Sequence, residues 1–318
     1  METKNILIIL GLALVLALWN PFPKFKGLQH DLMLEKQVAG AHTEMRGVLP
    51  IVQSQSPLEP QPQDQPVPEL LARAVLVRDH NSGDVLYEKN PDERVPIASL
   101  TKLMTAILVA KHLSLAEPVE IAAPDLRVPE DRAGLVGGEV ITVQDLLKAM
   151  LISSANDASM ALARHSGGTD GAVAFVEAMN RQARALNMKD TSFANPVGFD
   201  HEDHFSTARD LALLVEEFFH YPELLEIVKQ KEATIKSLDG KYAHTLLTTN
   251  RLMLVHPEIL GLKTGFTTEA KGNLIIFVQD GSLASRPVQY YSIILGSPDR
   301  EAETEKIFRW VRKNFIWQ

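Results

Sequence analysis

The stretch PIASLTKLMTA, residues 96–106, decides how the rest of this sequence is interpreted. Ser99 and Lys102 are three residues apart, so a helix places both side chains on one face. Pro96 lies just upstream, as is typical near the start of a helix. The apolar residues around the pair recur at the spacing of a buried helix face: Leu100, Leu103, Met104, Ile107 and Leu108. We therefore expect Ser99 in the first turn of a helix, where free backbone N–H groups favour developing negative charge.

Lys102 stands out because its neighbours on this helix are apolar. Ala98 and Ala106 lie four residues to either side of it. Partial desolvation lowers the pKa of a lysine, and such a lysine can take a proton from a serine hydroxyl. The alternative is a helix-capping serine followed by a lysine whose stem lies along apolar surface. The S-x-x-K pair taken alone favours that alternative.

A second motif, Ser154-Ala155-Asn156, separates two helix-like runs, VQDLLKAMLIS and DASMALARHS. A short polar break between buried helices brings a hydroxyl and an amide into the interior, where both need hydrogen-bond partners. Near Ser99 and Lys102, such a pair would supply a proton relay and a contact to a substrate amide. The alternative is that Ser154 or Asn156 caps the following helix.

A third motif, Lys263-Thr264-Gly265, lies just before two late strands. Gly265 allows a close approach between backbone and ligand. The charge of Lys263 and the hydroxyl of Thr264 suit a carboxylate. The alternative is a solvated lysine at the edge of a strand, close to a turn.

Composition excludes several classes of function. The net charge of −8 argues against a nucleic-acid partner. The sequence has no Cys, which excludes disulfides, cysteine-ligated zinc and a thiol nucleophile. Residues 201–204, HEDH, are a weak metal pattern in a stretch with loop composition. No phosphate loop or dinucleotide fingerprint is present, so neither a metal nor another cofactor is predicted.

The chain is predicted to have three parts. Residues 1–26, with the apolar run ILIILGLALVLALW at 6–19, fit a signal peptide or an N-terminal membrane anchor. Residues 27–70 include SQSPLEPQPQDQPVPE and are predicted to be an extended, mobile linker rich in Pro and Gln. Residues 71–318 are predicted to form one folded domain.

The pattern within this domain predicts an α+β fold. Residues 74–78 and 85–88 flank a turn and form a hairpin. Helical patterns follow, and strand patterns return late, at 273–279 and 288–295, before a final helical segment at 300–315. The intervening helical stretches are 99–113, 143–166, 171–186 and 207–219. Strands at both ends predict an antiparallel sheet built from both ends of the domain, with a helical lobe between them.

The order S-x-x-K, S-x-N, K-T-G is far more specific than any one motif. It resembles the active-site serine penicillin-recognising enzymes, and most closely the low-molecular-mass D-alanyl-D-alanine carboxypeptidases. The resemblance covers roughly residues 74–310 and includes supporting stretches at 82–87, 195–199 and 204–210. It implies a β-lactamase/transpeptidase-like fold, with residues 71–318 as a serine D,D-carboxypeptidase domain.

The resemblance also implies the catalytic roles. Ser99 would attack the penultimate D-Ala carbonyl, and Lys102 would be its base. Ser154 would carry a proton toward the leaving nitrogen. The oxyanion would be bound by the backbone N–H groups of Ser99 and Phe266.

The remaining site residues would bind the substrate. By resemblance, Asn156 would orient the substrate amide, and Lys263 would tune the local charge. Thr264 and Arg300 would bind the terminal carboxylate. Two positions depart from the family pattern: Ala155 replaces a glycine, and Lys271 follows Ala270 where relatives often have glycine.

The resemblance implies peptidoglycan stem peptides as substrates and β-lactams as inhibitors. It implies an exported protein, in the periplasm or at the outer face of the cytoplasmic membrane. Many relatives carry a further β-rich domain and a C-terminal amphipathic helix; both are expected to be absent, so that only the N-terminal segment would contact a membrane. Alternative functions are a class A β-lactamase-like hydrolase, a D,D-endopeptidase, or a non-catalytic muropeptide-binding protein.

Overall fold

The computed structural model describes residues 58–64, 66–285 and 287–318. Its strands are β1 (Pro60–Pro62), β2 (Ala74–Asp79), β3 (Val85–Lys89), β4 (Pro118–Glu120), β5 (Val140–Thr142), β6 (Glu232–Lys236), β7 (Ala243–Leu247), β8 (Ile259–Thr267), β9 (Lys271–Asp280), β10 (Val288–Ser297) and β11 (Phe315–Trp317). Its α-helices are α1 (Lys102–His112), α2 (Val143–Ile152), α3 (Asn156–Ser166), α4 (Gly171–Ala185), α5 (Ala208–Phe218), α6 (Pro222–Val228), α7 (Leu252–Val255) and α8 (Arg300–Asn314). The predicted signal peptide or anchor, 1–26, and residues 27–57 of the predicted linker lie outside the described residues.

An antiparallel sheet with the strand order β3-β2-β10-β9-β8 forms the centre of the fold. Its first two strands precede Ser99 in the chain and its other three follow residue 258. The predicted α+β architecture, with a sheet built from both ends of the domain, is therefore confirmed. The hairpin at 74–88 and the two late strands are also confirmed.

Both faces of this sheet are covered, which explains the unbroken apolar runs of β9 and β10. Successive side chains on a strand point to opposite faces. Ile275 and Ile293 accordingly belong to the apolar cluster of the helical lobe, whereas Ile276 and Ile294 pack with Ile307 of α8 on the other face. A strand that is buried on both faces has no alternation of polar and apolar residues.

Helix α1 is the centre of the helical lobe. Every residue from Lys102 to Val109 is buried, because α2, α3, α4 and α5 all pack against this helix. The predicted helical region 143–166 consists of α2 and α3, and the polar motif at Ser154 forms the break between them. The sequence analysis missed the strand β8, which carries Lys263 and forms one edge of the central sheet. It also missed the short strands β1, β4 to β7 and β11, and the helices α6 and α7. Within the part of the chain that the structure describes, no helix has both the length and the apolar character needed to span a bilayer.

The predicted boundary at residue 71 is wrong, because the folded part begins earlier. Strand β1 pairs with β11 at the C-terminal end, and Glu59 N–H donates to Gln318 O at 3.2 Å. Leu70 is only 5% exposed. Proline-rich composition predicted a spacer, but proline is compatible with a strand at the edge of a sheet, where its missing N–H costs no ladder bond. The pairing partner is some 250 residues away, and local composition carries no sign of it.

Substitution Trp317→Phe should test how strongly β11 stabilises the fold. Trp317 Nε1–H donates to Oδ2 of the buried Asp79 at 2.7 Å. Phenylalanine keeps the aromatic packing but leaves this carboxylate oxygen without that donor, which costs about 1–3 kcal/mol. Urea unfolding should show this loss, whereas Ile316→Ala, at a half-exposed position of the same strand, should change the unfolding free energy little. Equal stability of Trp317→Phe and wild type would contradict the assignment.

Candidate active site

Ser99 lies in a short 3₁₀ turn, Ala98–Thr101, that leads directly into α1. The sequence predicted the first turn of a helix, and the structure places the serine in this tighter turn just before the α-helix. Lys102 Nζ is 2.7 Å from Ser99 Oγ. The two residues are therefore neighbours on one face, as their spacing predicted.

The amine of Lys102 is fully buried at the base of this turn. It donates to Asn156 Oδ1 and to Val197 O, each at 2.8 Å. Burial lowers the pKa of Lys102 well below its usual value, and the positive charge of Lys263 lowers it further. A neutral amine has two hydrogens and one lone pair. With both hydrogens of the neutral form donated to the two carbonyl oxygens, the lone pair would face Ser99 Oγ.

The break between α2 and α3 brings the second motif to this amine. Ser154 is buried and has a left-handed backbone, with φ of 65°. Two residues later, Asn156 begins α3 and holds Lys102 through Oδ1. Its Nδ2 donates to Pro129 O at 3.1 Å and to Glu130 O at 3.4 Å. The asparagine thus connects the lysine to a loop that precedes α2 in the chain.

Asp157 holds this loop, and the motif pattern gave it no role. Its buried carboxylate accepts the backbone N–H groups of Ala133, Gly134 and Leu135 at 3.1–3.2 Å. Hydrogen bonds from backbone N–H groups to a carboxylate are stronger than those between neutral groups. An aspartate in the first turn of a helix is common, so only the tertiary structure reveals this function.

The third motif lies on β8 beside Ser99. Lys263 is buried, and its Nζ donates to Thr264 O at 2.9 Å. Burial lowers the pKa of Lys263 to about 7, against an opposing effect of the Asp131 carboxylate. A Cβ built on Gly265 would lie 3.0 Å from Ser99 N. The glycine therefore allows the strand to approach the serine, which explains why the motif needs a residue without a side chain there.

Phe266 and Arg300 line a cleft next to this strand. Arg300 Nη1 donates to Gly265 O at 2.9 Å, and the Phe266 side chain is 66% exposed. The cleft has a volume of about 260 Å³, and Arg251 also lines it. The sequence analysis missed Arg251, because an arginine in a turn before a short helix has no pattern that separates it from other surface residues. The cleft thus brings together two guanidinium groups and the carboxylates of Asp299 and Glu301, and Glu301 is paired with Arg300 at 2.9 Å.

The two departures from the family pattern have different surroundings. Ala155 is fully buried and its methyl group belongs to the apolar cluster of the helical lobe. Lys271 is exposed at the first position of β9, and its φ of 57° lies in the region that favours glycine. The strain at Lys271 is therefore local to the start of that strand.

The weak metal pattern at residues 201–204 does not form a metal site. His204 is buried, and its ring nitrogens contact Thr101 and the backbone of Ala194, whereas the His201 side chain is 51% exposed. Among the residues described, no group of three or more His, Asp or Glu side chains could hold a metal ion.

Comparison with known proteins gives the family context. The model of the D-alanyl-D-alanine carboxypeptidase family, peptidase S11, matches residues 60–286. The chain is 35% identical to D-alanyl-D-alanine carboxypeptidase DacF of Bacillus subtilis over 228 residues, which are 69% of this chain and 57% of DacF. It is 39% identical over 213 residues to a D-alanyl-D-alanine endopeptidase of Pseudomonas aeruginosa, covering 65% of this chain and 67% of that protein. The chain also spans only 62% of the length of DacC from Escherichia coli.

Solved structures agree with the architecture. The Streptomyces K15 DD-transpeptidase superimposes with a TM-score of 0.71 at 27% identity, covering 78% of this chain and 99% of that one. D-alanyl-D-alanine carboxypeptidase DacD from Francisella tularensis superimposes with a TM-score of 0.70 at 26% identity, covering 77% of this chain and 71% of that one. The predicted β-lactamase/transpeptidase-like fold is confirmed by these similarities.

Substitution Lys263→Met should change the pH dependence of stability. The pKa of Lys263 is about 7 in the folded protein, against 10.5 for an unperturbed lysine. Between these two pH values the unfolded chain binds more protons at Lys263 than the folded protein does. The free-energy cost of burying this lysine therefore falls as pH rises. The stability advantage of Lys263→Met over wild type should therefore shrink by about 1 kcal/mol between pH 8 and pH 9. Urea unfolding at each pH measures this, and parallel curves would contradict the lowered pKa.

Proposed function

This chain belongs to the D-alanyl-D-alanine carboxypeptidase family, peptidase S11, and on this premise we propose that it is a serine-type D,D-carboxypeptidase. It would release the terminal D-Ala from peptidoglycan stem pentapeptides through an acyl-enzyme. One observation carries the proposal: the buried Lys102 amine lies 2.7 Å from Ser99 Oγ, with other acceptors for both of its hydrogens. This arrangement suits a serine nucleophile with a neutral lysine as its base.

In the acylation step, Ser99 Oγ attacks the carbonyl of the penultimate D-Ala while Lys102 Nζ takes the hydroxyl proton. The oxyanion that develops is bound by the backbone N–H groups of Ser99 and Phe266. The close approach of Gly265 to Ser99 supports this pairing, since it brings β8 against the nucleophile. Burial lowers the pKa of Lys102, which favours the neutral amine that can act as a base.

The leaving D-Ala needs a proton and a binding site for its carboxylate. Ser154 passes its proton to the leaving nitrogen and receives in exchange the proton that Lys102 took from Ser99, and the charged form of Lys263 favours this transfer. Thr264 and Arg300 bind the terminal carboxylate, and Arg251 adds a second guanidinium at the same cleft. Arg300 is already oriented by its bonds to Gly265 O and to Glu301, each at 2.9 Å. Such preorganisation favours a carboxylate with a fixed orientation.

The acyl side of the substrate is oriented by Asn156. Its Oδ1 is occupied by Lys102, whereas the bond from its Nδ2 to Glu130 O is long, at 3.4 Å. The substrate amide carbonyl replaces that weaker partner. Water then hydrolyses the acyl-enzyme. A β-lactam acylates the same serine, which makes the enzyme penicillin-sensitive.

The proposed substrate also indicates where the protein acts. Peptidoglycan lies outside the cytoplasmic membrane, so the enzyme is exported to the periplasm or to the outer face of that membrane. The apolar run at 6–19 supports export, either as a cleaved signal peptide or as an anchor. On this proposal, the N-terminal segment contacts the membrane.

A second activity, D,D-endopeptidase, is favoured by one specific observation. The chain is 39% identical to a D-alanyl-D-alanine endopeptidase and covers 67% of its length. Both reactions attack a D-Ala carbonyl, and they differ in the amine that leaves. A carboxypeptidase releases free D-Ala, whereas an endopeptidase releases the side-chain amine of a crosslinked neighbour.

We expect purified protein to release D-Ala from a pentapeptide that ends in D-Ala-D-Ala. A crosslinked muropeptide dimer, assayed by liquid chromatography in parallel, distinguishes carboxypeptidase from endopeptidase. Cleavage of the muropeptide dimer without release of D-Ala from the pentapeptide would show that the protein is an endopeptidase and not a carboxypeptidase. Rapid β-lactam turnover without any D-Ala release would overturn both.

Labelling with a fluorescent penicillin should identify the nucleophile and its base. We expect no covalent label on Ser99→Ala, and labelling of Lys102→Ala slower by about 10²–10⁴-fold, the range of a lost general base. Lys271→Ala is the matched control, because it removes an exposed lysine near the same strand and should label normally. Equal labelling of wild type and Ser99→Ala would remove Ser99 as the nucleophile. Normal labelling of Lys102→Ala would contradict its assignment as the base.

A further inference from the structure

Ala98, the residue before Ser99, has a backbone conformation that alanine rarely adopts. Its φ is 48°, in the left-handed region, and the residue is buried. Such a conformation persists only where the surrounding structure holds it. Two glycines enclose the adjoining peptide: a Cβ on Gly198 would lie 2.0 Å from Ala98 O, and one on Gly265 would lie 3.1 Å from Ala98 Cβ. Both glycine segments therefore pack closely against the Ala98–Ser99 peptide.

A hydrogen bond from Thr101 holds the carbonyl of this peptide. Thr101 Oγ1 donates to Ala98 O at 2.8 Å, and the Thr101 side chain is fully buried. A threonine hydroxyl has a single proton, so this bond uses its only donor. Any further hydrogen bond to Thr101 Oγ1 must therefore come from another donor.

His204 is that donor, and the structure fixes the direction of its hydrogen bonds. The backbone N–H of Ala194 donates to His204 Nδ1 at 3.0 Å, so Nδ1 carries no proton. The neutral ring then carries its proton on Nε2, which lies 2.7 Å from Thr101 Oγ1. Burial lowers the pKa of His204 to about 4, so the ring is neutral at pH 7. One directed chain of hydrogen bonds runs from Ala194 through His204 and Thr101 to Ala98 O.

We propose that Thr101 and His204 are positioning residues that orient the nucleophile by fixing the Ala98–Ser99 peptide. The inference rests on the proposed function, in which Ser99 is acylated. This peptide carries both the N–H that would bind the oxyanion and the Cα from which Ser99 Oγ extends. Loss of the hydrogen bond lets Ala98 O rotate and moves Oγ relative to the fixed amine of Lys102. The carboxylate-binding residues Thr264 and Arg300 lie on other elements and keep their positions.

Thr101→Val tests the inference, because it keeps the shape of the side chain and removes the hydroxyl. We expect the rate constant of acylation by a fluorescent penicillin to fall about 10–100-fold, the scale of a misplacement near 1 Å. The dissociation constant of the preceding non-covalent complex should stay within about twofold, since binding energy and positioning are separable. Thr101→Ser restores the hydroxyl and should acylate within about threefold of wild type, because a serine hydroxyl offers the same donor and acceptor.

Thr105→Val is the matched control for general destabilisation. Thr105 is also buried in α1, and its Oγ1 donates to Pro196 O at 2.8 Å. Ser159 Oγ donates to the same oxygen at 2.8 Å, so the carbonyl keeps a partner in this variant. Thr105→Val should therefore lose similar stability in urea while acylating near the wild-type rate. Equal slowing of Thr101→Val and Thr105→Val would show a merely structural effect and overturn the inference.

His204→Asn completes the test, since its side-chain oxygen can still accept the Ala194 N–H but cannot reach Thr101. It should slow acylation in the same way as Thr101→Val, without a comparable change in the non-covalent complex. Long-range ¹H–¹⁵N NMR of wild type should show His204 protonated on Nε2 at pH 7. A proton on Nδ1, or unchanged acylation of Thr101→Val, would overturn the inference. Absence of acylation in wild type would instead contradict the proposed function.

Discussion

The catalytic side of this protein depends on the burial of one amine. An ammonium group buried without an opposite charge is strongly destabilising, and a lysine relieves this cost by losing its proton. The three hydrogen-bond partners of Lys102 Nζ are all neutral: Ser99, Asn156 and Val197. They come from the turn before α1, from the start of α3 and from the loop before α5. The Lys102 amine therefore connects these three segments through its hydrogen bonds. The same hydrogen bonds position the amine to act as a base.

A second buried lysine and one loop set the charge around this amine. The positive charge of Lys263 disfavours a proton on Lys102, whereas the carboxylate of Asp131 favours the charged form of both lysines. Asp131 belongs to the loop that Asp157 holds through three backbone N–H groups. The electrostatic balance between the lysines thus depends on the placement of a surface loop, and that placement depends on a buried carboxylate next to Asn156 in the chain.

The sequence predicted the sheet, the helical lobe and the three motifs, because each produces a local pattern. The serine–lysine spacing and the polar break at Ser154 reflect contacts within a few residues. The glycine at 265 reflects the need for a close backbone approach. Other features depend on pairings between distant segments. The strand β1 needs β11, and Arg251 reaches the cleft only through the turn before α7. No local pattern announces such partners, so the domain boundary was placed too late and Arg251 was overlooked.

The orientation of Ser99 also restricts which sequences can form this site. Gly198 and Gly265 both approach the Ala98–Ser99 peptide closely, although they lie on segments far apart in the chain. Any side chain at Gly198 would overlap Ala98 O, and its φ of 98° independently favours glycine. The packing around the nucleophile therefore limits substitution at Gly198 and Gly265, whereas the side chain of Phe266, the next residue along β8, is exposed.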